Sequence, residues 1–147
     1  MLAIGCDHGG FALKNTITDW LKGNGIEYKD FGTNSEQSVN YAPIAAAVAR
    51  SVASGECEKG ILICGTGIGM SMAANKVKGI RAAVCSDVFS AKLTRQHNDA
   101  NILCFGARVV GPGVAVMLTE AFLTTGYEGG RHDVRIGEIA KIENGEL

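Results

Sequence analysis

Proline is scarce in this 147-residue sequence, confined to Pro43 and Pro112. There is one tryptophan, aromatic content is 6% and charged content 20%. Neither sign of charge prevails, because fourteen Lys+Arg stand against fifteen Asp+Glu for a formal net charge of −1. That balance argues against a general nucleic-acid or anionic-membrane surface, so any anion binding has to be local and geometric. No stretch approaches the ~18 consecutive apolar residues that a membrane span needs, and the apolar start before Asp7 is too short for a signal peptide. No C-x-x-C pair occurs, and the five cysteines, at 6, 57, 64, 85 and 104, are odd in number. Those two facts disfavour a disulfide framework and a zinc site, and make a reducing cytoplasm the expected compartment.

What the sequence has instead is glycine, 20 residues of it, in a chain that is 46% hydrophobic. The glycines are scattered rather than gathered in one tract, which reads as tight turns and backbone-lined pockets, not as a flexible linker. The length suits one domain, residues 1–147, with no internal repeat or low-complexity segment. Apolar runs at 2–6, 26–31, 61–63, 80–85 and 101–105 predict five strands. Helical patterns follow from Phe11, Tyr41 (with Pro43 in the first turn), the glycine loop, Asp87, Pro112 and about His132. Strands alternating with helices imply right-handed crossovers and a parallel sheet covered on both faces, with ligands collecting at the carboxyl ends of the strands. Asp7, His8, Cys64 and Arg108 all follow strands and so are expected on that edge.

The stretch Cys64-Gly65-Thr66-Gly67-Ile68-Gly69 is the most informative. Alternating glycines permit positive φ and expose backbone N–H groups to one bound oxygen or phosphate, while a thiol beside a helix start has its thiolate favoured. Equally, Cys64 reads as a small buried hydrophobe in a tight strand-to-helix turn. Asp7-His8 suits proton transfer or phosphate binding, or else Asp7 caps the first helix. His97 lies where a helix ends, a common place for a histidine that only neutralises the helix C-terminus. Arg131 and Arg135 are four apart, so a helix starting near Arg131 puts both guanidinium groups on one face; that face is either a phosphate clamp or merely solvated. A dinucleotide site is a weaker reading, since Met70 stands where a third glycine belongs, and no Gly-Lys-Ser/Thr supports a phosphate-loop NTPase.

Taken together, Cys6-Asp7-His8-Gly9-Gly10, the Cys64–Gly69 loop, Ala73-Ala74-Asn75-Lys76, Arg95–Asn101 and Gly129-Gly130-Arg131-His132 resemble the type B ribose-5-phosphate isomerases. That family also includes allose-6-phosphate and galactose-6-phosphate isomerases, and the match runs in order from about residue 3 to 142. The resemblance implies a Rossmann-like three-layer sandwich with a five-stranded parallel sheet and a C-terminal helix docked on a partner subunit. It implies a homodimer, which can pair further into a tetramer, with the active site shared between subunits, acting on a phosphorylated sugar without metal or cofactor. By the same resemblance the catalytic residues are Cys64 as base, Thr66, and His97 for opening the sugar ring. The backbone of Gly65, Thr66, Gly67, Ile68 and Gly69 would hold the enediolate oxygens. Asp7 and Asn98 would bind hydroxyls, and His8 would lie near the phosphate or ring oxygen. Tyr41 and His132 would line the pocket, and Arg108, Arg131 and Arg135 would hold the phosphate. Some relatives carry the base as a glutamate where this chain has Met70. Asn40-Tyr41-Ala42-Pro43 departs from the family's Asp-Tyr-Pro, which bears on sugar preference. From a different class, a non-catalytic Rossmann-like nucleotide-binding module would use Cys64 only structurally.

Overall fold

Two runs without an exposed side chain lie at the middle of the molecule. β1 (Leu2–Cys6) pairs in parallel with β3 (Lys59–Cys64), in the register Leu2↔Lys59 to Cys6↔Ile63. The computed structural model describes residues 1–147. β5 (Ile102–Gly106) flanks β3 with Gly60↔Ile102 and Cys64↔Gly106, while β2 (Tyr28–Asp30) and β4 (Ala82–Val84) form the edges. The all-parallel order is β2-β1-β3-β5-β4. The fold is therefore the expected Rossmann-like α/β sandwich, its three inner strands apolar because both faces are covered.

Strand alternation assigns the faces. Ile4, Ile61, Ile63, Leu103 and Phe105 pack against α1 (Phe11–Gly23), α4 (Val88–Asn98) and α5 (Pro112–Thr124), through Leu13, Ile17, Ala91, Leu118 and Phe122 among others. Ala3, Leu62, Cys64 and Cys104 face α2 (Tyr41–Ala53) and α3 (Ile68–Ala74) through Ala45, Val48, Ala49 and Met70. α2 lies close to the sheet, since a Cβ on Gly60 would meet Val48 at 2.9 Å. α6 (Arg131–Glu143) buries only His132 and is tied down by the Glu143 carboxylate, which accepts the Gly79 N–H at 3.0 and 3.2 Å.

Local chemistry sets most element ends where the sequence places them. Asp87 caps α4 by accepting the Ser90 N–H at 2.7 Å, and Pro112 occupies the first turn of α5. The strands differ at their ends. β3 spans 59–64 rather than 61–63 and β5 102–106 rather than 101–105, while β4 covers only 82–84 of the expected 80–85, because Asn75, just past the end of α3, turns its side chain sideways. Its Oδ1 accepts from Ala82 N–H (2.8 Å) and its Nδ2 donates to Ala82 O (2.9 Å). β2 begins at Tyr28 rather than Ile26, since the Ile26 N–H is given to Leu21 O at the end of α1.

Burial holds two core cysteines as thiols. It pushes Cys6 and Cys85 from about 9 up to about 11, with nearby charges making smaller contributions. The unfolded chain releases these protons near pH 9 and the folded one near 11, so stability is full below pH 9 and falls as pH rises between the two. Urea unfolding at pH 8 and pH 10.5 should show a loss on the order of 2 kcal/mol per thiol. Cys6→Ala/Cys85→Ala should remove their share of that dependence and leave the share of Cys104, whose thiol burial also raises well above 9.

Candidate active site

At the carboxyl edge of the sheet the loops after β1, β3 and β5 meet. Cys64, the last residue of β3, is 6% exposed, and its Sγ accepts the Gly67 N–H at 3.0 Å. The loop that follows is shaped by crowding against β5. Gly67 has φ +81°, and a Cβ there would lie 2.8–2.9 Å from the Phe105 backbone; one on Gly106 would come within 2.5 Å of Thr66 Cα. Only glycine fits such contacts with positive φ. The chain is thereby bent around the sulfur, and the N–H groups of Gly65, Thr66, Gly69 and Met70 find no protein acceptor, while Ile68 N–H goes to Thr66 Oγ1 at 3.3 Å. Four free amide donors beside a thiol make an anion-accepting cradle.

The neighbours of the cradle carry the polar groups expected there. Asp7 Oδ1 caps the short 3₁₀ turn His8–Gly10, accepting from Gly9 N–H (2.9 Å) and Gly10 N–H (3.2 Å). No protein donor reaches Asp7 Oδ2, yet it is not a sealed orphan, so it faces solvent and is free for a ligand hydroxyl. The capping reading of Asp7 thus holds, through one of its two oxygens. Gly9 sits against Gly65, whose nitrogen is 3.5 Å from a Cβ built on Gly9. Arg108 is exposed, has no carboxylate partner, and lays its guanidinium over Gly65, 3.7 Å from that residue's Cβ position. Tyr41 opens α2 and sets its ring against Gly69, where a Cβ would be 2.7 Å from the ring. His8 Nδ1 accepts the Val39 N–H at 3.2 Å, so its proton, in the neutral ring, sits on Nε2.

His97, Asn98, Arg131, His132 and Arg135 do not join this group. Helices of a parallel sheet run back against the strands, so the end of α4 lies by the amino end of β5. Ile102 pairs with Gly60 and Gly106 with Cys64, which separates the two edges by roughly 13 Å of strand at ~3.3 Å per residue. At that far edge the His97 and His132 rings stack with centroids 4.4 Å apart and 15° between planes. Glu128 Oε2 stands 3.7 Å from His97 Nε2 and 3.5 Å from His132 Nε2. Asn98, exposed, accepts Arg81 Nε–H through its carbonyl. α6 begins at Arg131, so Arg131 and Arg135 share one exposed face, and neither has a carboxylate partner.

Glu128 went unnoticed in the sequence, though its spacing of four from His132 was a signal. His97, Glu128 and His132 bring three metal-ligand atoms within 4.8 Å of one another. Near-parallel rings aim their in-plane lone pairs side by side rather than at one point, which suits a carboxylate bridging two imidazoles better than a tetrahedral ion.

The profile of the Ribose/Galactose Isomerase family matches residues 2–139. The chain is 54% identical over 142 residues to the ribose-5-phosphate isomerase B of Escherichia coli, covering 97% of this chain and 95% of that protein. Its fold superposes on the Clostridium thermocellum ribose-5-phosphate isomerase B with a TM-score of 0.97 at 51% identity, over 99% of each chain. The enzyme of Mycoplasma genitalium, solved with bound ribulose-5-phosphate, gives a TM-score of 0.93 at 40% identity, over 97% of this chain and 95% of that one.

The cradle's dependence on glycine can be measured. Gly67→Ala adds a Cβ against an immobile strand and a strained φ, and should lose about 2–4 kcal/mol in urea unfolding. Gly79→Ala, with φ +86° but nothing within 4 Å, should lose only about 1–2 kcal/mol.

Proposed function

The chain belongs to the ribose/galactose isomerase family, and from that premise we propose that it interconverts D-ribose 5-phosphate and D-ribulose 5-phosphate through an enediolate, with Cys64 as the base. The observation that supports this most directly is the meeting of the Cys64 sulfur with a loop of unpaired amides at the end of β3. Proton abstraction next to a carbonyl needs a positioned base and preorganised donors for the oxygen that gains charge, and this loop supplies both.

The steps follow from the groups at hand. Once the ring is open, the Cys64 thiolate takes the proton from C2, and the electron pair of that bond moves through C1 onto the carbonyl oxygen. The amides of the 65–69 loop and the Thr66 hydroxyl hold the resulting enediolate. Cys64 then returns its proton to C1, and the O2 hydroxyl proton passes to O1, leaving the ketose. Asp7 Oδ2 binds a sugar hydroxyl, while His8 Nε2–H and the unpaired Arg108 serve the phosphate or ring oxygen. A phosphate held away from the reacting carbons adds binding energy that orients them.

The far-edge groups fit the same reaction if a second copy delivers them. We infer a homodimer in which His97 opens the ring and Asn98, Arg131, His132 and Arg135 reach the neighbour's Cys64 pocket. Unpaired arginines on α6, and its exposed Val134, Ile139 and Ile142, support docking of that helix on another subunit. Pairing of dimers into a tetramer extends the same reading, and a cytoplasmic location goes with it. No helix is long and apolar enough to cross a membrane.

Purified protein is expected to turn over ribose 5-phosphate, and Cys64→Ala to lose about 10²–10⁴-fold in kcat. Loss of kcat in wild type for ribose with retention for allose 6-phosphate would move the substrate and keep the chemistry. Full activity in Cys64→Ala would remove the base. Sharing is tested by mixing: Cys64→Ala and His97→Ala, each inactive alone, should recover about a quarter of wild-type activity after unfolding and refolding together, since half the dimers are hybrids and each has one intact site. No recovery would overturn the delivery of His97 to a neighbour's Cys64 pocket.

A further inference from the structure

Lys14 is a buried cation that the proposed chemistry leaves without a task. It lies on α1, makes no hydrogen bond to the Cys64 loop and is 1% exposed. Its Nζ donates to Asp30 Oδ1 (2.8 Å) and Oδ2 (2.7 Å), to Thr33 O (2.6 Å) and to Asn34 Oδ1 (3.1 Å). Four acceptors around one ammonium are more than an ion pair needs. All of them belong to the end of β2 and the segment that follows it.

That segment, residues 33–40, is an irregular strap with no helix or strand of its own, mostly exposed, leading from the sheet edge to the start of α2. Its beginning is stitched to the last residue of β1: Cys6 N–H donates to Gly32 O (2.6 Å) and Thr33 N–H to Cys6 O (2.5 Å). Its end reaches the pocket twice. Val39 N–H is given to His8 Nδ1, and Tyr41, one residue beyond the strap, lies on Gly69. Between these anchors residues 35–38 make no hydrogen bond to the rest of the fold, only a local one from Gln37 N–H to Ser35 Oγ. The register of the strap therefore depends on how its first residues are held.

We propose that Lys14 is a positioning residue: by fixing Thr33 and Asn34 it sets the strap so that Val39 N–H holds His8 as the Nε2–H tautomer, with that donor turned to the pocket. The charge of Lys14 never meets the ligand. Its effect travels through one carbonyl, one side-chain amide and the strap to a single histidine nitrogen. The chemistry explains why a cation is placed there. A neutral donor would satisfy one or two of the four acceptors, whereas an ammonium satisfies the carboxylate and the strap together. This inference rests on the isomerase reading for what His8 binds, but the tautomer itself does not.

The experiment is long-range proton–nitrogen NMR of the histidine side chains at pH 8 in wild type, Lys14→Met and Asn34→Leu, with steady-state kinetics on ribose 5-phosphate. Circular dichroism and sedimentation run alongside to establish folding. Wild type should show His8 protonated on Nε2 with Nδ1 bare. Lys14→Met should show a mixture of tautomers, with KM raised roughly tenfold or more and kcat changed by less than about threefold, the pattern of lost binding rather than lost chemistry. Asn34→Leu keeps the Lys14–Asp30 pair and removes one strap contact, so it should move the same two readouts in the same direction by less. A folded Lys14→Met with the wild-type tautomer and KM would overturn the proposal. If Lys14→Met does not fold, an unchanged tautomer and KM in Asn34→Leu would overturn it equally. The tautomer measurement needs no substrate. A wild type without turnover would therefore sink the isomerase reading while the tautomer comparison still decides the role of Lys14.

Discussion

The backbone of β5 limits where the chain can go after β3, and the rest of the site depends on that limit. The two strands are neighbours in register, Cys64 opposite Gly106, so the turn after Cys64 has to be made in the narrow space above Phe105 and Gly106. A side chain at 67 would overlap the Phe105 backbone, itself held in the sheet ladder, and one at 106 would overlap the backbone of Gly65 and Thr66. With glycine at both places the chain doubles back on the sulfur, gives one N–H to it and leaves others unpaired. The cradle is thus a product of strand packing, and Cys64 gains its surroundings from residues that have no functional side chain.

The same parallel sheet divides the candidate residues between two edges. Each strand ends at the carboxyl edge and each helix returns the chain to the other, so residues near the start of a helix and near its end cannot share a pocket within one chain. Asp7, His8, Cys64 and Arg108 stand at one edge; His97, Asn98 and the start of α6 stand at the other. The far cluster is built with care all the same. His132 is buried at 5% exposure under the His97 ring, and Glu128 reaches both imidazoles, while the two arginines remain free. In the proposed homodimer a two-fold related copy would bring the two groups together.

Much of this was legible beforehand, for local reasons. The apolar runs read as strands because a doubly covered sheet tolerates nothing else, and Asp87 and Pro112 mark helix starts because capping and a fixed φ act within one turn. The beginning of α6 at Arg131 follows in the same way from the Gly129-Gly130 turn, where both residues have positive φ. What escaped notice is carried by side chains that act across the fold. Asn75 shortens β4 from seven residues away, Lys14 holds a strap up to twenty residues on, and Glu128 serves a histidine in another helix. Lysine, asparagine and glutamate are ordinary surface residues in a sequence, and nothing in their own neighbourhood announces burial or a distant partner.

Residue order alone was enough to establish the alternation of strands and helices, the glycine turn beside a cysteine, and a set of motifs at the spacing of one enzyme family, because periodicity, capping and motif spacing are properties of contiguous residues. Tertiary structure alone decided the strand order, the four unpaired amides around Cys64, the split of the candidate residues between two edges, and the clamp of Lys14 on the strap. Those depend on which strands lie side by side and on distances of a few ångströms between residues far apart in the chain. Such distances are set only when apolar burial brings the elements together, and they leave no periodic trace in the order of the residues.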